Sequence, residues 1–90
     1  MEIEKYLINN GILPNLKGFD FIVESVKLIR EDSSYKFNIT RKLYPKLCEI
    51  FNETPIKVER AIRHAIRRSG FQHTNSEFIA IVELETRNKK

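Results

Sequence analysis

Apolar side chains recur at three- and four-residue spacing along most of the chain, and strict apolar–polar alternation is scarce. That pattern predicts an all-α fold, a single small helical domain of about four to five helices. A first helix over residues 2–9 stops at Asn10-Gly11, and Pro14 prevents its resumption. A second fits residues 18–32, with Phe19, Ile22, Val23, Val26 and Ile29 in one stripe and Asp32-Ser33-Ser34 at its end. Leu43, Leu47, Cys48, Ile50 and Phe51 mark a short third helix. Pro45 suits its first position, where the missing N–H costs nothing. Residues 39–44 read either as a separate turn or as an earlier helical piece.

Asn52-Glu53-Thr54-Pro55 supplies both a stop and the next start, because Thr54 can cap and Pro55 can open the following helix. The gap is only about three residues, the spacing of a helix-turn-helix, which ordinary helical hairpins share. The second helix of the pair covers about residues 55–69. On a wheel at roughly 100° per residue, Val58, Ala61, Ile62, Ala65 and Ile66 fall in one arc and Lys57, Glu59, Arg60, Arg63, His64 and Arg67 fill the rest. A last helix starts at Thr74-Asn75-Ser76-Glu77, a capping box, with Phe78, Ile79, Val82 and Ile81 as its core side. Residues 86–90 read as a frayed tail.

Charge sharpens the picture. The chain of 90 residues has a formal net charge of +4. Acidic and basic residues cancel over 1–53 and again over 74–90, so the whole excess lies between Thr54 and His73. There Lys57, Arg60, Arg63, Arg67 and Arg68 meet one acid, Glu59. Solvated helix faces ordinarily mix signs in i,i+4 pairs, whereas a one-sided stripe is the footprint of a polyanion binder.

The remaining composition excludes more than it suggests. Ninety residues make one domain, 1–90, whose small core leaves little room for an enclosed catalytic cavity. There is no glycine-rich phosphate loop, nucleophile elbow or pair of acids in an apolar segment, so no enzyme activity and no cofactor are expected. His64 and His73 lack neighbours with metal-ligand spacing, and no metal is expected. Cys48 reads as a packing residue. No apolar run approaches the roughly 20 residues of a membrane span, and no secretory signal opens the chain, which points to the cytoplasm.

Several runs resemble a known family. Leu43-Tyr44-Pro45, Phe51-Asn52, Val58-Glu59-Arg60-Ala61-Ile62-Arg63-His64-Ala65-Ile66 and Thr74-Asn75-Ser76-Glu77-Phe78-Ile79-Ala80 are similar to the C-terminal DNA-binding effector domain of the stage zero sporulation protein A response regulators. Gly11-Ile12 through Lys17-Gly18-Phe19 is more weakly similar to that domain's opening segment. The resemblance implies a helix-turn-helix whose second helix enters the major groove of double-stranded DNA at a promoter element. It also implies that Glu59, Arg60, Arg63 and His64 contact bases. Lys57 matches a basic position beside them. The chemistry agrees: Arg can bond guanine O6 and N7, and Glu can accept from cytosine N4. The basic stripe itself leads to the expectation that Lys57, Arg67 and Arg68, with Thr54 at the cap, contact phosphates.

Two departures qualify the resemblance. The receiver domain that precedes the family's effector has no counterpart in these residues, so direct activation by aspartyl phosphorylation is not expected. The connection between Arg67 and Thr74 is shorter than the family's, with Gly70 suited to a left-handed helix end and Phe71 to docking on the core. A homodimer or pairing with a related regulator stays open. The functional expectation is a sequence-specific DNA-binding transcription regulator; the alternative is a protein–protein interaction module that modulates a full-length sporulation-type regulator without binding DNA.

Overall fold

Helix α1 (Glu2–Asn9) ends through its own carbonyls. Gly11 takes φ +86°, which lets its N–H donate to Ile8 at 3.0 Å and the Ile12 N–H donate to Leu7 at 2.9 Å. This closing motif also buries Leu7 and Ile12, fixing the chain's exit against the core. A computed structural model of the chain describes residues 2–87. It has five α-helices and no strand among them.

Helix α2 (Lys17–Glu31) is the central element. Its predicted stripe is buried, and so are Phe21, Ser25 and Leu28, because α1, α3, α4 and α5 all pack around it. The Ser25 hydroxyl donates to the Phe21 carbonyl at 2.6 Å, which satisfies a polar group inside the core. The following residues form a 3₁₀ segment (Ser33–Phe37) and a π-helical turn (Ile39–Leu43) that runs directly into α3 (Tyr44–Phe51).

The start of α3 differs from the expectation. Pro45 lies at the second helical position, not the first, because Leu43 is still inside the π turn and the helix begins at Tyr44. The wider turn suits this, since the Leu43 N–H reaches back five residues to Asn38 at 3.0 Å and proline needs no donor of its own. Ile50, read as part of the core pattern, is exposed. Cys48 packs half-buried against the core, and burial raises its thiol pKa.

Helix α5 (Asn75–Glu85) opens with the expected capping box: the Glu77 N–H donates to Thr74 Oγ1 at 3.2 Å, and the Thr74 N–H to Glu77 Oε1 at 2.9 Å. At its end, Thr86 and Arg87 are held in place within the stretch expected to fray. Thr86 is buried and accepts from Arg30 of α2 at 2.6 Å, and Arg87 pairs with Glu83 at 2.8 Å. Residues 88–90 lie outside the described residues. The Arg30 guanidinium also bonds the Glu83 carbonyl, placing a cation at the negative end of α5.

Glu83 is buried between Arg30 and Arg87. Hydrogen bonds from Arg87 hold its carboxyl below the usual range, although burial pushes the other way. A depressed carboxyl contributes stability above its unfolded pKa of about 4.3 and loses it as pH falls toward the folded value. Glu83→Gln is therefore expected to cost about 1–3 kcal/mol at pH 7 and less at pH 3. Urea unfolding at both pH values checks this; an equal deficit at each would contradict it.

Candidate nucleic-acid interface

The turn after α3 is built from local chemistry. Asn52 adopts the left-handed conformation at φ 55°, and the Glu53 N–H returns to the Cys48 carbonyl at 3.1 Å. Thr54 then caps α4 (Pro55–Arg68), its hydroxyl accepting from the Lys57 N–H at 3.3 Å, with Pro55 in the first turn. Lys17 of α2 holds the turn from outside through Glu53 at 3.0 Å. The pair α3–α4 is the expected helix-turn-helix.

Packing fixes the orientation of α4. Val58, Ile62, Ala65 and Ile66 are buried, Ala61 is half-buried, and α2 is the main helix beneath them. Gly18 permits the close approach: a Cβ there would lie 2.3 Å from the Ala61 carbonyl oxygen and 2.8 Å from Ala65 Cβ. At the far end Gly70, at φ +94°, closes α4 by donating to Arg67 at 3.0 Å, and the Phe71 N–H reaches Ile66 at 3.3 Å. Phe71 docks beside Phe78, ring centroids 5.2 Å apart, and stays half-buried.

This orientation turns the charged arc outward. Lys57, Arg60, Arg63, His64, Arg67 and Arg68 are all exposed on one helix, and Thr54 is exposed at its start. By helical spacing, Arg60 and Arg67 lie near the middle of the arc, Lys57 and Arg68 along one edge, and Glu59 and Arg63 toward the other. Glu59 is half-buried and forms an ion pair with Arg63 at 3.1 Å. Such an i,i+4 pair contributes only about 0.3–0.5 kcal/mol, so both groups remain available to an outside partner. Behind Glu59, the Asn75 amide donates to the Glu59 carbonyl and to the Tyr44 hydroxyl, each at 3.0 Å. That buried link joins α5 and α3 to the middle of α4. Burial also raises the Tyr44 pKa, keeping the hydroxyl neutral.

Three further features of this face stand out in the folded chain. Ile56, in the first turn of α4, is 63% exposed and lies within the charged arc. Its signal was present on the wheel as the one large apolar residue on the wrong side. Lys36 and Arg41, from the segment before α3, line one open groove together with Glu59, Arg63 and Arg67. No local periodicity connects residues so far apart in the chain. Asn75 stands in the sequence as part of a capping box, and in the fold its side chain ties three helices together.

The geometry agrees with what the chain matches. Residues 3–71 match the family described as "Sporulation initiation factor Spo0A C terminal". The match takes in α1 through α4 and Phe71, and stops before α5. That family is one of DNA-binding effector domains of sporulation transcription regulators, not of enzymes. With more than two thirds of its length matched and a helix-turn-helix at the expected place, the chain belongs to the Spo0A C-terminal family.

Proposed function

We propose that this chain binds double-stranded DNA sequence-specifically as a transcription regulator, with α4 in the major groove. The observation that supports this best is the one-sided outward face of α4, on which six cationic or titratable side chains meet a single carboxylate. Arg60 and Arg63 suit guanine O6 and N7, His64 is a further base contact, and Glu59 suits the cytosine amino group. A carboxylate facing a polyanion costs affinity, so its place among these cations is better explained by base reading than by phosphate binding. Lys57 and Arg68 suit phosphates along one edge, and Arg67, in the last turn of α4, suits a phosphate beyond the base contacts. Thr54 accepts from the backbone and still has a hydroxyl hydrogen to give to a phosphate. Ile56 suits the 5-methyl group of a thymine.

Selection of a preferred element from a random duplex library, followed by titration against it and a scrambled duplex at two salt concentrations, tests the proposal. Equal binding to both duplexes would refute base reading, and binding to neither would leave the interaction-module alternative. Alanine at Lys57, Arg67 or Arg68 should each lower the salt slope by about one and weaken both duplexes alike. Ile56→Ser should leave unfolding within about 0.5 kcal/mol of the parent, since the side chain is exposed. It should also relax preference at one thymine; an unchanged preference at every position would remove Ile56 from the readout.

A further inference from the structure

An open groove of about 840 Å³ is walled by segments from three parts of the chain. Lys36, Phe37 and Arg41 line it from the segment before α3, Glu59, Arg63 and Arg67 from α4, and His73 through Ser76 from the start of α5. Four permanent cations face one carboxylate, and that carboxylate is paired with Arg63. Among the described residues, no carboxylate lies within ion-pair distance of Lys36, Arg41 or Arg67.

We propose that this groove holds the sugar–phosphate backbone of the DNA strand that borders the recognition helix, with Lys36 and Arg41 contacting phosphates that α4 does not reach. The inference rests on the DNA-binding reading and extends it to a second protein wall. Three observations favour a nucleic-acid backbone as the occupant. The groove is continuous with the α4 face, since Arg63 and Arg67 belong to both. Its surplus of unpaired positive charge complements a row of phosphates. Phe37, 78% exposed, presents an apolar ring beside Lys36, whose ammonium is 5.9 Å from the ring centroid. An apolar ring next to cations is suited to a deoxyribose between phosphates.

The wall is braced before any ligand arrives. Asp32 accepts from Lys42 at 2.8 Å and from the Ser34 N–H at 3.0 Å, while the Lys42 ammonium lies 4.7 Å from the Tyr35 ring centroid. The Asn38 amide donates to the Ser34 carbonyl at 3.0 Å. Hydrogen bonds from Lys42 and Ser34 lower the Asp32 pKa to about 2, so the clamp stays charged at neutral pH. Lys36 and Arg41 thus sit on a segment closed at its base, which reduces the ordering needed on binding.

The test compares the parent chain with K36A/R41A by fluorescence anisotropy over a salt series, using the selected element and its scrambled version. Each lost phosphate contact removes about 0.9 from the slope of log K against log salt, so the double variant should lose close to two. Its ratio of affinities for the two duplexes should stay within about twofold of the parent ratio, because phosphates carry position and not sequence. Phe37→Ala should weaken both duplexes equally. Ethylation interference supplies an independent reading: phosphates flanking the α4 contacts should block the parent when modified and no longer affect the double variant. An unchanged slope together with an unchanged interference pattern, in a parent that prefers its element, would overturn the groove assignment alone. A parent that does not bind DNA would overturn both readings.

Discussion

Gly18→Ala is expected to destabilise the domain by about 3 kcal/mol, the upper part of the usual range for overpacking a tight contact. The added methyl would stand 2.3 Å from the Ala61 carbonyl oxygen and 2.9 Å from the Ala61 carbonyl carbon. Neither atom can rotate away, since both belong to the backbone of α4. Relief requires separating α4 from α2, and that contact holds the buried side of the recognition helix. Alanine has the better helix propensity, by about 1 kcal/mol, which offsets only part of the clash. A domain with a total stability of about 5–15 kcal/mol would lose a large fraction of it. Urea unfolding decides the matter: a midpoint equal to or above the parent's would show that α4 moves aside freely. DNA affinity should fall with stability, because the same displacement shifts every side chain on the outward arc.

Arg60→Ala should do the opposite, leaving the fold alone and removing specificity. Arg60 is exposed, has no ion pair with any described residue, and lies near the centre of the arc, one turn into the helix after Thr54-Pro55. Its melting temperature should therefore be nearly that of the parent. A bidentate contact to guanine is worth about 1–3 kcal/mol of discrimination, so binding to the preferred element should weaken by about 5- to 150-fold. Binding to a scrambled duplex should change little. Equal weakening on both duplexes would make Arg60 a phosphate contact and move base reading to Arg63 and His64.

These two residues show how differently fold and function are written in the chain. Arg60 was legible at once, because its exposure follows from the spacing of Val58, Ala61, Ile62, Ala65 and Ile66 on the opposite side of one helix. Gly18 was not. As an apparently ordinary residue at the start of a helix, it acquires its importance from a helix more than 40 residues later. Thr86 and Arg87 are a further case: they look like a polar terminus until Arg30 and Glu83 are seen on either side of them.

The sequence by itself determined the helices, the caps at Thr54 and Thr74, the left-handed closures at Gly11 and Gly70, and the basic arc of α4. All of these depend on side chains and backbone groups within about five residues of one another, so periodicity and capping chemistry are enough to reveal them. Only the tertiary structure decided how closely α4 sits on α2, and that Glu83 is enclosed by two arginines. It also brought Lys36 and Arg41 into one groove with Arg63 and Arg67. Those relations join segments tens of residues apart, and they follow from how the apolar faces of five helices are accommodated around α2, which no local pattern encodes.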